Sequence, residues 1–213
     1  MMASKALRVL VPGVLLPVFL THAGGWAVVT LDDLPESVEV GKAVSLTYMV
    51  RQHGVEPHDG LRGIVEATSG RLTVRGVVTP GERRGQYAAR ITLPTAGDWS
   101  IRIQSGFPKA DVTLLPIAAL TAGATMTRPA SDADRGGRLF VAKGCVTCHV
   151  QIPVGPKLEG KRFDPTYLAG FLANPPATPR VPATGPMPNL GLDQREIASL
   201  VAYLNNNREL GAK

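Results

Sequence analysis

The sequence predicts a two-part chain, β then α: an antiparallel β-sandwich followed by an all-helical region. Three observations carry this. From Trp26 to Pro116 apolar residues recur at every second position, whereas from Ser131 onward they recur every three to four. Between the two lies Ile117–Ala130, rich in small residues, almost uncharged and without a period. A length of 213 residues suits one large domain or two small ones, and 23 glycines with 18 prolines favour short elements and many turns. With 44% hydrophobic and 19% charged residues the composition is that of a folded chain, and 5% aromatics means an aliphatic core.

The β half follows from alternation. Val44, Leu46, Tyr48 and Val50 alternate with polar neighbours, as do Leu72 and Val74, Tyr87, Ala89, Ile91 and Leu93, and Trp99, Ile101 and Ile103. Each run has one apolar face, the pattern of strands solvated on one side. Glu56-Pro57, Asp59-Gly60, Ser69-Gly70, Pro80-Gly81 and Gly97-Asp98 supply the turns. Seven or eight such strands in about 90 residues predict a small sandwich of Ig-like architecture over residues 24–116. Residues 117–131 read as a linker between domains.

Three helices are predicted in residues 132–213. Ser131-x-x-Asp134 is a capping box that opens the first. Asp164-Pro165 starts a second, carrying Tyr167, Leu168, Phe171 and Leu172 and ended by Asn174-Pro175-Pro176. Asp193-x-x-Glu196 starts a third, with Ile197, Leu200, Val201 and Leu204 on one face and Asn205-Asn-Asn207 as its stop.

At the N-terminus Lys5 and Arg8 precede an apolar run, Val9–Leu20, and Thr21-His22-Ala23 resembles a small-residue cleavage site. Residues 1–23 therefore read as an export signal, which places the protein in the periplasm or otherwise outside the cytoplasm. The rival is a retained anchor and membrane association through residues 9–31, opposed by Gly24 and Gly25 and by the strand-like Trp26–Leu31. The net charge of +6 is spread thinly: residues 24–131 hold 11 basic and 10 acidic side chains, and 132–213 hold 10 and 7. No like-charge run or basic stripe with interleaved aromatics exists, which argues against nucleic-acid binding.

Both cysteines lie in Cys145-Val-Thr-Cys148-His149, the spacing of c-type haem attachment. On a helical turn residues i and i+3 face one side, so both sulfurs reach one porphyrin edge and the next residue, His149, is placed to ligate iron. A thioredoxin-like pair would need a surrounding βαβ pattern, and a zinc site a fourth ligand; no other Cys or His follows His58. Met187, the only methionine after the motif, is the candidate sixth ligand. The prolines around it (182, 186 and 188) stiffen a loop that must present one sulfur, although a buried methionine is more commonly core filler. Met126 is a weaker candidate because it lies in the linker.

Residues 132–213 resemble class I cytochromes c, through Gly137-Arg-Leu-Phe140, the haem motif, Gly155-Pro156-Lys-Leu158 and Leu200-Val-Ala-Tyr203-Leu204. The resemblance implies an all-α cytochrome c fold whose terminal helices cross at Gly137, Phe140 and Tyr203. It also implies that the Pro156 carbonyl accepts the second N–H of His149. The region around Arg51–His58 and Gly97-Asp-Trp99 resembles the FixH/YtkA-like exported β-sandwich domains. Together these imply a non-enzymatic, mono-haem carrier of single electrons with a β-sandwich docking module. Its partners would be redox proteins, with a haem–copper oxidase or another respiratory complex as the candidate. Two alternatives stand beside this reading. Met49, His53 and His58 offer a thioether and two imidazoles for copper, which would make the chain a copper-binding or oxidase-assembly factor with a redox haem. A labile Met187 would instead make it a haem sensor or enzyme.

Overall fold

A computed structural model describes residues 25–126, 130–152, 154–175 and 187–206. The export signal, residues 1–23, and the prolines at 182 and 186 lie outside the described residues, as does residue 24 of the anchor reading. Among the described residues no helix is long and apolar enough to cross a membrane.

Ten strands come first: β1 (Ala27–Leu31), β2 (Ser37–Glu39), β3 (Ala43–Gln52), β4 (Glu56–Pro57), β5 (Ile64–Ser69), β6 (Leu72–Pro80), β7 (Gln86–Thr92), β8 (Gly97–Gln104), β9 (Asp111–Thr113) and β10 (Ile117–Leu120). They form one hydrogen-bonded path, β1-β3-β7-β6-β5-β8-β10-β2, with β4 on β3 and β9 on β8. The sheet curls on itself at β6. Up to Gly76 this strand pairs with β5, and from Val77 it pairs with β7. A Cβ at Gly76 would run into the Arg90 carbonyl and lie 2.7 Å from Val65 Cγ1, so glycine permits the close approach at the bend. The alternation read from the sequence fills the inside of the curl: Leu46, Tyr48, Val50, Ala89, Ile91, Leu93, Trp99, Ile101 and Ile103 are buried. Trp99 donates its indole N–H to the Thr95 carbonyl at 2.9 Å, so the largest core side chain has its polar atom satisfied.

The helices α1 (Asp132–Ala142), α2 (Pro165–Ala173) and α3 (Gln194–Asn206) begin where their caps predict. Ser131 and Asp134 make a reciprocal capping box, Asp164 accepts from Tyr167 N–H at 2.7 Å, and Asp193 accepts from Glu196 N–H at 2.7 Å. Helices α1 and α3 cross closely. A Cβ at Gly136 would overlap the Ser199 carbonyl, Gly137 faces the Tyr203 ring, and the Phe140 and Tyr203 rings stand 5.5 Å apart.

The helices do not stand apart from the sheet. Every residue of β1 is buried. Ala27, Val29 and Leu31 face the inside of the curl, while Val28 and Thr30 point outward, against the turn that follows α1. One contiguous apolar cluster runs from Val29 and Leu46 through to Phe140, Leu172 and Leu200. Polar ties cross the same junction. Arg135 pairs with Glu36 at 2.8 Å, and Arg138 donates to the carbonyls of Pro35 at 2.7 Å and Glu36 at 3.3 Å.

The expected class, a two-domain β + α chain made of an Ig-like antiparallel sandwich and an all-α cytochrome c fold, is therefore corrected. The described chain is mainly β, a curled ten-strand sheet, and its C-terminal helices are a layer laid on that sheet and sharing its core. The sheet also contains a parallel pair, β2 with β10, that the antiparallel class does not have. Strand β10 lies within the expected linker, 117–131. Its Ile117 and Ala119 alternate inward, and that burial draws the segment into the sheet.

Candidate functional site

The predicted motif sits at the junction of the two layers. Helix α1 ends at Ala142, and Gly144 just beyond it, whose φ of +74° suits glycine, turns the chain toward the sheet. Gly144 N–H donates to the Val141 carbonyl at 3.0 Å, and Thr147 N–H to the Gly144 carbonyl at 3.1 Å, which winds the next turn. Thr147–Gln151 then opens into a π-helical turn, closed by Ile152 N–H on the Thr147 carbonyl at 2.7 Å. Cys148 and His149 are carried on this turn and Cys145 just before it, all half-buried, and both cysteines are free thiols.

The loop after the turn folds back over the imidazole. Gly155 N–H donates to the Cys148 carbonyl at 2.9 Å, and a Cβ at Gly155 would stand 2.8 Å from both Cε1 and Nδ1 of His149. The Pro156 carbonyl lies 2.8 Å from His149 Nδ1. A carbonyl only accepts, so Nδ1 carries the proton and Nε2 keeps its lone pair. Burial lowers the His149 pKa, an effect the Pro156 bond opposes, and the neutral ligating form is the one that burial favours.

The thiols are held neutral as well. Burial pushes Cys145 up to about 12, and the nearby Cys148 adds to the effect; burial alone raises Cys148 to about 11. Neither is a thiolate at neutral pH, which sets this pair apart from nucleophilic or disulfide-exchange cysteines.

A haem c fits these residues on three counts. Two neutral thiols lie three positions apart, and Cys148 adds to the rise at Cys145. An imidazole presents one lone pair while its other nitrogen is pinned. A glycine leaves room for the loop to close over the ring. Met187, the candidate second ligand, is half-buried and packs against the same apolar cluster as Cys145, Leu158, Phe163 and Val201.

The candidate copper residues are employed differently. Met49 is on the outward face of β3, as its parity predicts, but it is 5% exposed rather than solvated. It stands across from Thr30 in register, on the face covered by the helical layer. The His53 ring lies edge-on to Trp26 with centroids 5.5 Å apart, and the His58 ring edge-on to Phe107 at 4.9 Å. Among the described residues no three His, Cys, Asp or Glu side chains converge on a point where a metal ion would sit.

Sequence reasoning passed over Lys143. It reads as a solvated cation at a helix C-terminus, yet it is buried, and Nζ donates to the Asp32 carbonyl at 2.8 Å while pairing with Glu196 at 2.8 Å. The only local signal was its place between a helix end and a glycine, and nothing in the sequence announces a partner 111 residues away.

No family model matches the chain, and no curated protein matches it. Among solved structures it is similar to domains 4 and 5 of the S-layer protein SbsC, with 18% identity and a TM-score of 0.33, over 45% of this chain and 53% of that one. It is also similar to the ZirS C-terminal domain, with 15% identity and a TM-score of 0.31, over 56% of this chain and 86% of that one. The chain thus spans about half the length of the S-layer structure it matches.

Proposed function

We propose that this protein is an exported carrier of single electrons that would hold one haem c through Cys145 and Cys148, with His149 and Met187 as the residues that would bind its iron. The observation that carries the reading is the Cys-x-x-Cys-His turn, whose imidazole is fixed by Pro156 so that Nε2 is free to ligate. When bound, the haem would supply one-electron exchange, and a Met187 thioether on its iron would raise the reduction potential.

The protein's own residues have separate tasks. Cys145 and Cys148 would supply the two sulfurs that hold the haem. Pro156 holds the His149 tautomer. Leu158, Phe163, Leu172 and Val201 belong to the apolar cluster shared with Cys145 and Met187, which would help to keep water from a bound haem. With His149 and Met187 both committed to the iron, the haem would exchange electrons rather than bind a substrate. The resemblance to class I cytochromes c and the N-terminal apolar run support a periplasmic setting and a redox protein as partner, a haem–copper oxidase or another respiratory complex being the candidate.

The test is retention of colour. Protein produced with a haem-attachment system and unfolded in acid-acetone should keep its haem, and a Cys145→Ser, Cys148→Ser double variant should release or lack it. Haem that extracts from the wild type would refute covalent attachment. Met187→Ala should keep the haem, lower the reduction potential and let the reduced protein bind carbon monoxide, which the wild type should resist. Rapid carbon monoxide binding by the wild type would count against the carrier role.

A further inference from the structure

The motif is built against the sheet, and this bears on what the sheet does. Gly144, immediately before Cys145, lies on β1: a Cβ there would overlap Val28 Cγ1 and stand 2.8 Å from the Val29 carbonyl and 3.3 Å from Thr30 Cγ2. Lys143, 5% exposed, reaches the Asp32 carbonyl just past the end of β1 and the Glu196 carboxylate on α3. One side chain thus joins the sheet, the last helix and the start of the attachment turn. Its carboxylate partner is itself largely buried, with a side chain 19% exposed, so the pair sits in a setting where losing one member leaves the other without compensation.

We infer that the β layer is the seat of the attachment turn, and that Lys143 and Gly144 act as positioning residues that hold Cys145 at a set depth against β1. This rests on the haem reading above for its purpose, and on the geometry alone for the seat. Cys148, three residues on, is held instead through its carbonyl, which accepts from Gly155 N–H at 2.9 Å. The role is distinct from docking a partner: the outward face of β1, at Val28 and Thr30, is occupied by Gly144. Lys143 also draws the Cys145 pKa down, against the larger upward effect of burial, which agrees with its closeness to that sulfur.

The experiment uses the full chain prepared without haem and measures alkylation of each cysteine by iodoacetamide, resolved by peptide mass spectrometry. Lys143→Met keeps the bulk and removes the donor. It should speed Cys145 relative to Cys148 by about tenfold, the effect of losing one charge-assisted hydrogen bond of about 1.4 kcal/mol. Loss of the charge alone would slow Cys145, because the cation favours its thiolate, so acceleration reads opening of the seat. Lys143→Arg should recover part of the protection. Val28→Ala, made on the sheet side, should speed Cys145 in the same sense with Lys143 intact. In the haem-loaded protein Lys143→Met should shift the reduction potential and give a fraction attached through Cys148 only. An unchanged Cys145-to-Cys148 ratio in both Lys143→Met and Val28→Ala overturns the seat. A wild type that takes up no haem overturns the function reading instead, and the alkylation ratio still decides the seat.

Discussion

Along β5 and β6 the outward residues meet water and one another: Arg75 bonds Glu66 at 2.8 Å, and the Thr68 and Thr73 hydroxyls stand 3.4 Å apart. Along β1 and β3 the outward residues Val28, Thr30 and Met49 are buried instead, and Arg51 donates to Thr30 Oγ1 at 2.5 Å. The same sheet therefore has one stretch of outer face that is solvated and one that is covered by the helical layer. Alternation reports burial only where a single face is packed. Where a second layer arrives, the strand becomes buried throughout, as Ala-Val-Val-Thr-Leu in β1 is, with Thr30 satisfied by Arg51.

A charge placed on each face breaks or upholds this contrast most directly. Val28→Lys would bury an ammonium without a partner and should cost roughly 3–5 kcal/mol in urea denaturation. Thr68→Lys, on the solvated face, should change stability by no more than about 0.5 kcal/mol. Equal costs would mean that the helices do not cover β1.

A smaller effect tests whether the two layers share one fate. Gly136→Ala forces a methyl group into the Ser199 carbonyl and should destabilise by about 1–3 kcal/mol. Both tryptophans lie in the β layer, so their fluorescence reports the sheet while circular dichroism at 222 nm is dominated by the helices. With a shared core the two signals should fall together in wild type and variant alike. Separate transitions would mean that the layers fold independently.

The smallest effects should come from pH, and the layers differ in their acid response. Cys145 and Cys148 have folded pKa values of about 12 and about 11, raised from 9.0, and burial raises Tyr48 to about 12 from 10.0. A raised value means stability that is complete below the unfolded pKa and lost as the pH climbs through the folded one. Haem-free protein should therefore weaken from about pH 9 upward, in both layers. His149 is shifted the other way, so its contribution is complete above 6.5 and is lost as the pH falls below that. His149→Gln should flatten the acid side of the stability profile and leave the alkaline side unchanged.

Much of the local structure was legible in the sequence because local physics sets it. Reciprocal caps at Ser131/Asp134 and Asp193/Glu196 satisfy orphan helix N–H groups wherever they occur, and period-two runs such as Val44–Val50 find an interior whatever its topology. The Cys-x-x-Cys-His spacing, and the bond from His149 to Pro156 that family resemblance implied, belong to one short segment and needed no distant contact. Residues 117–120 were misread because alternation over four small residues is too faint a signal before a sheet edge is there to receive it.

The amino-acid sequence by itself determined where the three helices begin and where most of the strands run, because capping and alternation act within about ten residues. Only the tertiary structure decided that the ten strands run as one curled path, that β2 and β10 pair in parallel, and that the helices lie on β1 rather than beyond a linker. Those outcomes depend on contacts such as Lys143 with Asp32 and Gly144 with Val28, more than a hundred residues apart in the chain. No local propensity encodes them: they arise when two apolar surfaces, each incomplete alone, exclude water from between them.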